Sequence, residues 1–202
     1  MELAVLLSIQ PQWCEKIASG EKTVEVRKTA PKIGIPFMCY MYCTSIKNSP
    51  ADWLYRLPNQ HELYLGAASR DYDFIKEEGD FLNRKVIGEF TCDKIVIYPY
   101  DRTCGYLISE DEFNRTLMTG NEFCGYGKGK TLYGWHISEL KIYDRPKELV
   151  EFTPWCDRYI RYDRYDVCCD CKNAVYDEYG ELSGCGLARP PQSWCYVEEL
   201  YD

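Results

Sequence analysis

Leu6-Leu-Ser-Ile-Gln-Pro-Gln-Trp-Cys-Glu-Lys-Ile-Ala-Ser-Gly-Glu-Lys-Thr-Val-Glu-Val-Arg27 is the stretch on which the reading of the fold turns. Leu3 to Ile9 is a mostly apolar run of strand length, and Pro11 suits the first turn of a helix. Trp13, Ile17 and Ala18 recur at helical spacing, and Gly20 supplies a C-terminal stop. Lys22 to Arg27 then alternates. Val24 and Val26 face one way, while Thr23, Glu25 and Arg27 face the other. An acid and an arginine side by side on one strand face make either a solvated surface or the wall of a binding site.

Working outward, Phe37-Met-Cys-Tyr-Met-Tyr-Cys43 reads as a strand buried on both faces, because it is apolar almost throughout. Residues 44–84 lose periodicity and read as a long surface excursion placed as a lid, with Pro58 interrupting a short helical start. Lys85 to Tyr98 is the clearest strand signal, and its length together with Gly88 predicts a long or bulged strand of the kind found in barrels. Ser109-Glu-Asp-Glu112 predicts a capped helix running to about Met118. Gly125 to Lys130 reads as a glycine-lysine loop. Tyr133–Ile137 and Leu140–Tyr143 read as the next strand or strand pair, ended by Pro146. Composition shifts near residue 150, which divides the chain into a domain of residues 1–150 and a cysteine-rich tail of residues 151–202.

Aromatics make up 15% of the 202 residues, too many for a disordered chain. The net charge of −8 argues against a protein that grips a long duplex by neutralising phosphates. It leaves open the recognition of one flipped or single-stranded base, where stacking and edge hydrogen bonds do most of the work. No secretion signal or membrane span is read, so the expected compartment is the cytoplasm and the 12 cysteines are expected as thiols or metal ligands.

Four constellations carry chemistry. The Gly129-Lys-Thr131 step suggests a phosphate loop, but the glycine such a loop needs five residues earlier is Cys124. Lys128 and Lys130 are left as a basic loop able to touch a phosphate. Cys168-x-x-Cys171 followed by Cys185 and Cys195 offers four thiols for a structural zinc, with Cys156 and Cys169 as substitutes; buried free thiols are the alternative. His61 and His136 sit in no nucleophile–base pattern. In the opening stretch, Ser8, Gln10, Lys22, Glu25 and Arg27 cluster on two strands and the turn between them. Gln10 and Glu25 suit the edge of a base, Trp13 or Trp135 its face, and Lys22 and Arg27 a phosphate.

Leu7-Ser-Ile-Gln-Pro-Gln-Trp13 and Ile17-Ala-Ser-Gly-Glu-Lys-Thr-Val-Glu-Val-Arg27 resemble the ASCH family of the PUA-like superfamily, whose signature runs Gly-x-Lys-x-x-Glu-x-Arg. Tyr133–Ile137 resembles the family's closing strand and Lys85–Tyr98 its long central one. The overall look is also similar to that of phage- and prophage-type bacterial proteins. The resemblance covers residues 1–150 and implies an α+β fold: a PUA-like small β-barrel with flanking helices, here with a small cysteine-rich C-terminal extension. It implies a cleft for RNA or a modified nucleoside, lined by Ser8, Gln10, Lys22, Glu25 and Arg27. Some family members resemble amidohydrolases of acylated cytidine, with a Lys-Thr-Ile-Thr-Ile-Arg motif. Here Lys22 and Arg27 match, but Glu25 stands in place of the second threonine, so hydrolysis would have to run on Lys22 and Glu25, of an acylated nucleoside or of RNA. The acidic, tyrosine-rich chain also suits a protein-interaction adaptor.

Overall fold

The computed structural model describes residues 2–45, 53–66, 73, 75, 77, 79–155, 174–176, 178–179 and 182–200. The opening stretch folds as β1 (Leu3–Ile9), α1 (Pro11–Ala18) and β2 (Val24–Arg27), followed by β3 (Phe37–Cys43). Three short strands come next: β4 (Leu54–Arg56), β5 (Leu63–Leu65) and β6 (Asp80–Phe81). The long β7 (Val86–Tyr98) leads through β8 (Tyr100–Asp101) and β9 (Gly105–Tyr106) to α2 (Glu110–Thr116) and α3 (Gly120–Gly127). The chain continues with β10 (Leu132–Lys147), β11 (Ala174–Tyr176), β12 (Leu182–Cys185) and β13 (Trp194–Glu198).

Six strands make the main sheet, in the order β13-β1-β3-β7-β10-β2. β1 and β3 are parallel because α1 and β2 intervene as a crossover; the other neighbours are antiparallel. The bulge expected from Gly88 is present. A Cβ there would lie 2.5 Å from the Lys141 carbonyl, so only glycine lets β10 approach β7 where the register shifts between Ser138 and Lys141. The expected closed barrel does not form among the described residues: the ladder ends at β13 on one side and β2 on the other. The two ends nevertheless meet. The Arg27 guanidinium on β2 donates to the Ser8 carbonyl on β1 at 2.9 Å and to the Ser193 carbonyl before β13 at 3.4 Å. A side chain bridges the seam where a backbone ladder would close a barrel.

Strand β1 has apolar cores on both faces. Val5, Leu7 and Ile9 enter one with Cys39, Met41, Phe90 and Trp135. Ala4 and Leu6 enter the other with Tyr40, Phe152, Leu187 and Val197. Residues beyond 150 therefore complete the main core: Phe152 is fully buried edge-on to Tyr40, with ring centroids 4.9 Å apart, and β13 pairs with β1 from Leu3–Glu198 to Leu7–Trp194. The boundary expected near residue 150 is no break in packing. The excursion is likewise more than a lid. Leu54 and Leu82 are fully buried against the first core, and β4, β5 and β6 form their own sheet. Its polar and aromatic residues hide this from periodicity, because three-residue strands are too short to show a period.

The Ser109 hydroxyl caps α2 as expected, accepting the Glu112 amide at 3.3 Å. Helix α3 replaces half of the stretch read as a loop. Its signal was the capping box Thr119-x-x-Glu122, in which each side chain accepts the other residue's amide.

Four buried cysteines sit in the first core, and burial holds the protons of Cys14, Cys39 and Cys92. It raises the thiols of Cys14 and Cys39 well above the ordinary value and pushes Cys92 up to about 12; Cys195 in β13 is pushed up to about 11. Tyr98, buried and bonded to Glu112, is raised as well. Each of these groups keeps its proton in the folded state beyond the pH at which the unfolded chain releases it. Their contribution is whole below about pH 9 and is lost as pH rises through the thiol range toward 12. Lys22, whose pKa burial lowers, acts in the opposite sense but is one group against five. The thermal midpoint, followed by circular dichroism, is therefore expected to fall steadily from pH 8.5 to pH 11; a flat profile would show the thiols to be hydrated.

Candidate functional site

All four residues of β2 are buried, so its polar face is not a solvated surface. Lys22 is 2% exposed, and Glu25 and Arg27 are each 6% exposed. The reason is the seam: β2 is an edge strand in hydrogen bonding but is covered by α2, α3 and the β1/β13 edge. Glu25 lies between two cations. Its Oε1 is 3.0 Å from Arg27 Nη2 and its Oε2 is 3.6 Å from Lys22 Nζ. Lys22 also donates to the Thr116 carbonyl at the C-terminal end of α2, at 2.6 Å, where the helix dipole favours a cation. The same Nζ sits 4.8 Å above the Trp13 ring. Burial, the dominant cause, still lowers the Lys22 pKa, with Glu25 opposing it. Three buried charges with one acid between two bases leave a net positive centre in a protein of net charge −8. Arg27 Nε is buried and has no hydrogen-bond partner among the described residues.

These groups floor a cleft of about 850 Å³. One wall is the start of α1, with Gln10, Gln12 and Trp13; another is Met118 with Glu122 and Tyr126 of α3; the third is Gln192 with Ser193. Lys28 lies over the Tyr126 ring at 4.6 Å. The volume is within the usual range for a small-molecule site.

Of the residues expected in the site, Ser8, Gln10, Trp13, Lys22, Glu25 and Arg27 all line this cleft. The Ser8 hydroxyl is committed to the Pro191 carbonyl at 2.7 Å, which makes it a brace for the third wall. Trp135 is not a lining residue. It is fully buried opposite Glu25 in the β10–β2 register, 5.7 Å from Phe37 and 6.0 Å from Trp194, so it supports the floor and offers no face for stacking. Lys128 and Lys130 do not line it either. Lys128 caps the C-terminal end of α3, where carbonyls repel an anion. His61 is exposed, and the His136 Nε2 lies 2.8 Å from Glu112, which also accepts the Tyr98 hydroxyl at 2.7 Å; this trio ties α2 to the sheet. Cys168 and Cys171 lie outside the described residues, and among the described residues no three of His, Cys, Asp or Glu are grouped to hold a metal. The residues that sequence reasoning missed include Gln12, Lys28, Met118, Glu122, Tyr126 and Gln192. The capping box of α3 and the Pro190-Pro191 step were the available signals.

No protein-family model matches the chain, and no curated protein does. Solved structures to which it is similar include the ASCH protein of Zymomonas mobilis. That likeness has 16% identity and a TM-score of 0.46, and covers 72% of this chain and 73% of that one. A tyrosine-to-phenylalanine variant of the same protein gives 16% identity and a TM-score of 0.45 over 72% and 76% of the two chains. A serine-to-alanine variant gives 17%, 0.45, 72% and 74%. No helix among the described residues is long and apolar enough to cross a membrane.

Proposed function

We propose that the cleft binds a single base of RNA or a modified nucleoside. The observation that carries this reading is the buried Lys22–Glu25–Arg27 chain lining a cleft with room for a nucleoside. Its net positive charge suits one anionic or electron-rich group. Glutamine carboxamides at the lip suit the edges of a heterocycle. The acidic remainder of the protein disfavours a long polyanion, so a single residue of RNA or a free nucleoside fits better than a duplex. The Gly20-x-Lys22-x-x-Glu25-x-Arg27 resemblance to ASCH proteins points the same way.

Titration of short single-stranded RNA and of nucleosides, N4-acetylcytidine included, tests the reading by calorimetry. Arg27→Ala is expected to weaken binding by roughly 30- to 160-fold, the loss of a charged hydrogen bond of about 2–3 kcal/mol. Unchanged affinity in a variant that circular dichroism shows to be folded would remove this assignment.

Hydrolysis of an acylated nucleoside is the second reading, favoured by the lowered pKa of Lys22. Both oxygens of Glu25 are engaged by cations, which makes it a poor base toward water. Binding is therefore the better reading, and absence of product in the N4-acetylcytidine titration supports it.

A further inference from the structure

The third wall of the cleft is supplied from the other end of the chain. Pro190-Pro191-Gln-Ser193 passes beside the end of β1 as a strap leading into β13. Its two prolines fix φ and remove two backbone donors, so the strap has few conformations open to it. Four bonds then hold it against the cleft. The Ser8 amide donates to the Ser193 carbonyl at 2.9 Å, and the Ser8 hydroxyl donates to the Pro191 carbonyl at 2.7 Å. Arg27 Nη1 donates to the Ser193 carbonyl at 3.4 Å. Just beyond the strap, Trp194 Nε1 donates to the Thr29 hydroxyl at 3.0 Å. Within this frame the Gln192 side chain is exposed, lines the cleft and makes no hydrogen bond to any described residue.

Apart from Arg27 Nε, the polar groups of the floor already have partners. Glu25 is engaged through both oxygens and Lys22 through Thr116, Glu25 and the Trp13 ring. Such a floor responds to charge and shape, and distinguishes poorly between one neutral heterocycle and another. A carboxamide offers one acceptor oxygen and two donor hydrogens, the complement of a base edge. Gln10 and Gln12 carry the same group on the α1 wall; Gln192 stands on the facing strap, its backbone held on both sides through the carbonyls of Pro191 and Ser193. A recognition group on a braced backbone loses less freedom on binding and discriminates better.

We propose that Gln192 is the specificity-determining residue of the cleft, reading the polar edge of a heterocycle whose remainder rests on the Lys22–Glu25–Arg27 floor. The inference rests on the nucleoside-binding reading and assigns selectivity to the C-terminal strap instead of the β2 motif.

The experiment measures the affinities of adenosine, guanosine, cytidine, uridine and N4-acetylcytidine for the full chain by calorimetry. Gln192→Ala is expected to lower affinity for the best-bound nucleoside about tenfold and to flatten the order among the five. Gln192→Glu, which removes the donors and keeps an acceptor, is expected to change the order in favour of bases that present an amino group. A purely structural role would scale all five affinities alike. The side chain is exposed, so both variants are expected to keep their thermal midpoint. An unchanged order in both variants, with Arg27→Ala weakening all five, overturns the proposal and leaves the cleft reading standing. A change of order in Gln10→Ala with none in Gln192→Ala does the same and moves the reader to α1. Failure of the unmodified protein to bind any of the five overturns both.

Discussion

Glu25→Gln is expected to lower the thermal midpoint by roughly 6–20 °C, the largest effect of any single polar substitution in the chain. The carboxylate is the counter-charge for two cations that are almost fully buried, at 3.0 Å from Arg27 and 3.6 Å from Lys22. Glutamine keeps the shape and removes the charge. Two positive groups then face each other in a low-dielectric setting with one amide oxygen between them. Breaking a buried pair in this way costs about 3–5 kcal/mol, and a domain of this size loses about 2–4 °C per kcal/mol. A second substitution isolates the cause. Lys22→Met removes one of the stranded cations, so Lys22→Met/Glu25→Gln is expected to be more stable than Glu25→Gln alone. The coupling in a double-mutant cycle is expected on the order of 1–3 kcal/mol. Thermal unfolding followed by circular dichroism measures all three variants. A loss below about 1 kcal/mol in Glu25→Gln would mean that water reaches the cluster from the cleft and that the floor is not a buried charge chain.

Phe152→Ala is expected to destabilise the whole main sheet by about 3–5 kcal/mol, as for a large aromatic removed from a core. The ring is fully buried edge-on to Tyr40 and shares its cluster with Ala4 and Leu6 of β1, Leu187, and Val197 of β13. Its loss undercuts both the face of β1 and the seat of β13. Because the strap carrying Gln192 leads directly into β13, the same substitution is expected to weaken ligand binding without touching the cleft. Denaturant unfolding, read in parallel by far-ultraviolet circular dichroism and tryptophan fluorescence, is expected to give coincident transitions. Two separated transitions, with the first confined to residues after 150, would show that this part of the chain folds apart from the sheet.

The two substitutions probe opposite ends of one arrangement, since Arg27 and the strap brace each other across the seam. The cleft exists because the sheet curls without closing. A complete ladder between β2 and the β1/β13 edge would fill the gap with backbone hydrogen bonds. A side-chain bridge leaves room for a ligand beside it.

What the sequence determined by itself was local. The apolar run of β1, the proline start and glycine stop of α1, and the alternation of β2 follow from spacing alone, as does the doubly buried character of β3. Residue type and spacing also placed Glu25 and Arg27 side by side, two positions apart on one strand face, whereas Lys22, which precedes the strand, joins them through the fold. Only the tertiary structure decided whether that polar face meets water. The answer depended on α2, α3 and a strap from the far end of the chain. A strand's period reports that one of its faces is different but carries no information about what covers it. For the same reason β3 announced two buried faces without naming Phe152, Leu187 and Val197 as the cover for one of them. Trp135 shows the limit from the other side: its register opposite Glu25 was within reach of pairing rules, but its burial behind the floor was fixed by Phe37 and Trp194, contacts between parts of the chain far apart in sequence.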